Sequence, residues 1–190
     1  MAYSEPPTFA VATVTVPQLN TLSEDIRYLK TQADRAPIVL VAEAGSFKAG
    51  TPANNLSTGW TYTLPGGTLA NDGDQLRVTV IAKTAGGGNV ATELKLKFGA
   101  TSSPWRLSSD TTKVNGIIQW CIVRTGAAAQ IMCANGISYA PGAAGAANYI
   151  TPAETLSGDV TLDLLHGQDA GGVNYVEAKS VVVEFIPASA

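Results

Sequence analysis

Residues that carry acid–base, redox or metal chemistry are scarce in this chain. Among 190 residues there is one histidine, His166, and there are two cysteines, Cys121 and Cys133. A Ser-His-Asp triad would have to be built on His166, yet no nucleophile-elbow motif is present. A polar loop position is the simpler expectation for that residue. Two cysteines without a CxxC spacing are too few for a disulfide framework. Charge is scarce too: charged residues make up 14% and hydrophobic residues 45%, with a net charge of -3 and a pI near 5.1. Without a basic excess, nucleic-acid binding has little electrostatic support. No apolar run reaches membrane-spanning length, so no membrane contact is expected. The start, MAYSEPPTFA, lacks the basic and apolar regions of a signal peptide, which predicts synthesis in a cytosol.

Other candidate chemistry also resolves into structure. Asp72-Gly73-Asp74 lacks the downstream glutamate of a calcium loop and reads as an Asx-type turn. Gly86-Gly87-Gly88 lacks the Lys-Ser/Thr of a phosphate loop and reads as a hairpin tip. Glu154 with Asp159, or Glu177 with Glu184, would be glycosidase pairs only at the right separation; solvated strand-face carboxylates are the default. No catalytic residue, cofactor or metal ligand is therefore expected, and the chain is read as a non-enzyme.

What is present is periodicity, of two kinds. Residues 1–14 read as an extended arm stiffened by Pro6-Pro7. Thr15-Val16-Pro17-Gln18 then forms a capping box with proline in the first turn. Leu19, Leu22, Ile26, Leu29 and Ala33 follow at spacings of three and four, a narrow heptad seam flanked by Asn20, Thr21, Ser23, Glu24 and Arg27. A helix lying on a sheet shows a wider apolar stripe. This one is sized for other helices, with Asp25 and Lys30 at the g and following e positions. Roughly two heptads do not associate alone in water, so another part of the chain must gather the copies. An amphipathic helix packed on its own domain, or in a groove of another protein, is the competing reading.

From Ile38 the period is two. PIVLVAEA, GWTYTL, QLRVTVIAKT, ATELKLKFG, NGIIQWCIVRTG, AQIMCANGISYA, DVTLDLLHG and VEAKSVVVEFI each read as a strand, separated by Gly-, Pro- and Asn-rich turns. About eight short strands with no long amphipathic helix between them predict a mainly β fold, a β-sandwich or jelly roll. A hairpin turning at Gly126-Ala127-Ala128 would set Cys121 opposite Cys133, as two reduced, partly buried thiols or a strained cross-strand disulfide. Trp120 belongs to the core. Trp105, Tyr139 and Tyr149, in or beside loops, are candidates for surface recognition, for instance of a host glycan; packing between subunits is the alternative.

LPGGTLANDGDQLRV followed by ELKLKFGA resembles a pattern of tailed-bacteriophage virion proteins, "sLPanTLaanGDvLRv" and then a strand ending Phe-Gly-Gly. Leu64, Pro65, Thr68, Leu69, Gly73, Asp74, Leu76, Arg77, Phe98 and Gly99 match it; Ala100 departs from it. Arg124, Gly126 and Gln130 match a later strand pair. Gly167, Gln168, Val183 and Glu184 match the close. TVPQLNTLSEDIRYLK is similar to a segment near the start of such proteins. The resemblance implies a jelly-roll β domain, usually trimeric, fastened to the particle by its N-terminal part. On that basis residues 1–35 are expected to attach and oligomerise and residues 36–190 to form the β domain. The expected role is capsid decoration or a short head fibre; the alternative is a tail fibre or receptor-binding protein. Expected partners are further copies of the chain and other virion proteins. In a trimer, three copies of His166 would also be able to meet on the axis and hold a metal.

Overall fold

The computed structural model describes residues 20, 23–27, 36–48, 57–85, 94–103, 115–138, 149–167 and 175–188. The chain divides into two units, Met1–Ala36 and Pro37–Ala190. In the first, Asn20 and residues 23–27 are helical, as the capping box and seam predict. Ile26 is 58% exposed there. The other seam positions, Leu19, Leu22, Leu29 and Ala33, and the arm over residues 1–14 lie outside the described residues.

The second unit is built from β1 (Ile38–Phe47), β2 (Ser57–Leu64), β3 (Gln75–Ala85), β4 (Leu94–Phe98), β5 (Thr101–Ser102), β6 (Asn115–Gly126), β7 (Ala129–Ser138), β8 (Tyr149–Ile150), β9 (Val160–His166) and β10 (Tyr175–Ile186). One sheet has the order β1-β10-β3-β6-β7-β8 and the other β2-β9-β4-β5. Each described pairing is antiparallel. With β7 and β8 set aside, the chain visits the two sheets in the order of a jelly roll, β1-β10-β3-β6 facing β2-β9-β4-β5. The β6–β7 hairpin and β8 extend the first sheet by two strands.

Alternation explains the packing. Leu76, Val78, Val80 and Ala82 of β3, Ile118, Trp120 and Ile122 of β6, and Leu94, Leu96 and Phe98 of β4 all point inward and are buried. Leu162 and Leu164 meet them from β9. Trp120, fully buried, donates its indole N–H to Ser103 Oγ at 3.0 Å, and that hydroxyl accepts Leu96 N–H at 3.1 Å. Burying an aromatic with its polar handle satisfied keeps the whole gain of the apolar contact.

The two outward faces differ. On the four-stranded sheet the face is polar: Thr61 faces Asp163, Thr63 faces Thr161, and Lys97 faces Asp163 from the other side. Thr61 donates to Asp163 at 2.7 Å and Lys97 Nζ lies 3.9 Å from it. On the six-stranded sheet, Ile81 pairs with Ile117, Val182 with Thr79, and Val123 with Ile131.

Two expectations are corrected here. β3 and β4 belong to different sheets, so residues 86–93 join the two layers and Gly86-Gly87-Gly88 is no hairpin tip; the residues themselves lie outside those described. His166 is the last residue of β9 and is 0% exposed, a core position and no polar loop residue. It continues the inward series Val160, Leu162, Leu164, because period two carries any residue at that place inside.

Candidate functional site

Three places gather polar or reactive groups. The first is the end of the sandwich where β2 turns into β3 and β6 into β7. Thr68 donates to the Pro65 carbonyl at 2.7 Å, closing the first turn. Asp74, 1% exposed, uses one carboxylate oxygen to accept Asn71 N–H at 2.7 Å and the other to accept Ala188 N–H at 2.9 Å. Gly73 has φ +91, a conformation that favours glycine, and it donates its N–H to the Arg124 carbonyl at 2.9 Å. The turn expected at Asp72-Gly73-Asp74 is thus formed, with Asp74 as its anchor. Arg124 reaches the Leu69 carbonyl at 2.6 Å and Asp72 at 3.0 Å.

On the other side of the same end, Gln130 grips Glu154 by its backbone. Its amide N–H donates to Glu154 O and its carbonyl accepts Glu154 N–H, both at 2.9 Å. The Glu154 carboxylate in turn accepts Ala100 N–H at 2.7 Å. It sits where a Cβ on Gly99 would be, and Gly99 has φ +56. A cleft of about 360 Å³ opens between these turns, lined by Leu69, Ala127, Ala128, Leu156 and Arg124 among others. Its arginine is committed to Leu69 and Asp72, so the cleft presents small apolar groups to any visitor. Thr68, Gly73, Asp74, Gly99, Arg124 and Gln130, among the residues that carry the resemblance to phage virion proteins, therefore do structural work at this end.

The second place is the opposite end. Ser57 stands directly across from His166 on paired strands. His166 Nδ1 lies 3.1 Å from the Val176 carbonyl, which must accept, so the proton sits on Nδ1. Nε2 and Ser57 Oγ are buried without a hydrogen-bond partner. Burial pushes the imidazole pKa down to about 4, against the Val176 hydrogen bond and the nearby charge of Glu177. Glu177 is itself 6% exposed and pairs with Lys179 at 2.8 Å. A Cβ on Gly59 would come within 2.6 Å of the imidazole Cδ2, so glycine is needed there. A fully enclosed, neutral imidazole with no bond to the serine opposite is a packed core group.

The carboxylates considered as pairs are likewise engaged. Glu177 pairs with Lys179, Glu184 with Arg77 at 2.7 Å, Glu154 with Ala100 N–H, and Asp159 accepts Gly66 N–H at 2.9 Å. The Arg77 guanidinium lowers the Glu184 pKa and is itself held protonated. Solvated strand-face groups were expected. Glu184 is held by a cross-strand ion pair, Glu177 by burial and Lys179, and Glu154 and Asp159 by backbone N–H groups.

The third place is the outward face of the six-stranded sheet. Cys121 and Cys133 stand directly opposite each other, as the hairpin predicted, and both are free thiols. Burial and the neighbouring Cys133 push the Cys121 thiol pKa up, which lowers its reactivity at neutral pH. Tyr149 of β8 pairs with Cys133 and is 71% exposed, so one of the three aromatic recognition candidates stands on this face. Trp105 and Tyr139 lie outside the described residues.

No protein-family model matches the chain, and no curated protein does. Among solved structures it is similar to the CBM2 module of the evolved Dit of Lactobacillus casei BL23 phage J-1. The identity is 10%, the TM-score 0.34, and the match covers 74% of this chain and 75% of that one. A likeness of that size says nothing about what this chain binds. Among the described residues no helix is long and apolar enough to cross a membrane, and no cluster of three metal-ligating side chains occurs.

Proposed function

We propose that this chain is a non-enzymatic structural protein of a bacteriophage particle, a capsid decoration protein or short head fibre made in the host cytoplasm. Residues 1–35 fasten it to other virion proteins, and copies associate, as a trimer in the family it resembles. The observation that supports this most is the Leu64–Arg77 run. Its match to phage virion proteins falls on residues that close a jelly-roll corner: Thr68, Gly73, Asp74 and, across β3, Arg77 on Glu184. The mechanism is multivalent attachment, in which linked arms hold far more firmly than one. An antibody against the chain, applied to phage particles purified from lysates that contain it and viewed by electron microscopy, tests the reading. Label on heads is the expected result; particles without label overturn it.

The exposed Tyr149 favours a second reading, receptor binding at a tail. Label at tail tips, together with glycan-array binding that Tyr149→Ala abolishes, would replace the first reading with this one.

A further inference from the structure

We infer that Cys121 and Cys133 form a redox site: in the folded chain, a small-molecule disulfide converts the two thiols into a reversible staple across the β6–β7 hairpin.

The register places them. Cys121 and Cys133 are cross-strand partners, and the ladder runs without a shift from that rung to Arg124 and Gln130. Arg124 donates its N–H to the Asp74 carbonyl and Gln130 donates its N–H to the Pro152 carbonyl, so neither N–H serves the rung that joins them. Rungs of an antiparallel ladder alternate between hydrogen-bonded and non-bonded. Three residues on, Cys121 and Cys133 therefore occupy a bonded rung, where Cα atoms lie about 5.5 Å apart. A disulfide spans Cα separations of about 4.4–6.8 Å, so the strands are already at bonding distance.

The two side chains also share a face. Trp120 and Ile122 of β6, and Met132 and Ala134 of β7, are buried in the core. Alternation turns the cysteines between them outward. Cys133 Sγ leans over the partner strand, 3.7 Å from the Cys121 carbonyl.

Exposure gives the thiols different tasks. Cys133 is exposed, so a disulfide from solution reaches it first, while Cys121 is half-buried. Cys121 Sγ lies 3.6 Å from Gln75 Oε1, and burial pushes its pKa up, which makes it a poor first attacker. Placed beside Cys133 it needs no encounter from solution, and such proximity offsets low reactivity. Arg77, its register partner on β3, favours its thiolate against the burial.

Oxidised glutathione serves as the oxidant. The Cys133 thiolate attacks one of its sulfurs, the S–S bond breaks, and one glutathione thiolate leaves. Cys121 then loses its proton to water and attacks the Cys133 sulfur of the mixed disulfide. The Cys121–Cys133 bond forms, and the second glutathione leaves as a thiolate. Two protein thiols are oxidised and one small disulfide is reduced to two thiols. The pair needs no second copy and no particle to close. It stays open where a glutathione pool keeps thiols reduced, and closes where disulfides prevail.

The test exposes the folded full chain to oxidised glutathione. Circular dichroism confirms the fold, and intact mass is read after iodoacetamide is added in urea. The chain holds no other cysteine, so an intramolecular disulfide has one identity. The wild type is expected to lose two hydrogens, take up no iodoacetamide, run as a single chain on a non-reducing gel and regain both thiols in dithiothreitol. Cys121→Ser is expected to stop at a glutathione adduct on Cys133. Cys133→Ser is expected to react at least about ten-fold more slowly than Cys121→Ser. A folded wild type that keeps both thiols, stops at the adduct or links to a second chain overturns the inference. Equal rates for the two variants overturn the assigned order of attack.

Discussion

The two ends of the sandwich solve one problem in opposite ways. At the end where β2 turns into β3, the buried polar groups are matched. Asp74 takes two backbone N–H groups, Gln130 exchanges two bonds with Glu154, and Glu154 closes on Ala100. At the other end, Ser57 Oγ and His166 Nε2 are enclosed face to face with no partner. The first end gains from each buried polar group, and the second gives up stability at each. Polar residues in a β-sandwich thus have no fixed value. Their worth depends on whether a turn brings backbone donors to them.

Four measurements would break or sharpen this contrast. The largest effect is expected from Asp74→Ala, which leaves Asn71 N–H and Ala188 N–H without their acceptor. A loss of about 3 kcal/mol in urea unfolding is expected, and a loss well under 1 kcal/mol would mean the matched end is not the stabilised one. The second is a pH series on the wild type. His166 has a folded pKa of about 4 against an ordinary 6.5, so the unfolded chain binds its proton first. Its contribution is fully present above about pH 6.5 and is lost as pH falls through about 4. The shift is worth at most about 3 kcal/mol. His166→Leu should flatten that slope between pH 6.5 and 4; an unchanged slope would assign it to other groups.

The third prediction reverses the usual sign. Ser57→Ala removes a buried hydroxyl with no partner, so it should raise stability by about 1 kcal/mol. A loss of stability would show that Ser57 Oγ is bonded in solution. The smallest effect belongs to Asp72→Ala. Asp72 is well exposed and its ion pair with Arg124 is screened, so a change of about 0.5 kcal/mol or less is expected by thermal unfolding. A larger loss would make that arginine a keystone of the end.

Most of the strand plan was legible in the sequence, because period two is imposed by the pleat and shows in every half-buried strand. The same rule accounts for what was missed. His166 extends Val160, Leu162 and Leu164, and Gln130 extends Met132 and Ala134. Both inward places were visible in the alternation; the polar character of His166 argued for a loop, while the segment AQIMCANGISYA already placed Gln130 in a strand. The partners were less accessible to reading. Gln130 and Glu154 are separated by 24 positions and Asp74 and Ala188 by 114, and no local pattern records such contacts. Sheet membership was hidden too, since alternation in β3 and β4 reads alike whether they are neighbours or face each other across the core. The two-residue strands β5 and β8 are too short to carry a period. The resemblance to phage proteins marked Asp74, Gly99 and Gln130, but only the fold shows that they are fastenings.

Among the described residues β1 is an edge strand, joined to β10 alone, and its ladder is interrupted between Val39 and Val41 and again between Ala44 and Phe47. Ile38 pairs with Phe185, so β1 begins where β10 nears its end. Tension applied between the chain before Pro37 and the chain after Ile186 would open this ladder like a zipper, one hydrogen bond at a time. Tension between the chain before Pro37 and the far end of the sheet would load the same bonds together, in shear. The mechanical strength of this domain is therefore a property of direction: compliant along one line of pull and stiff along the other.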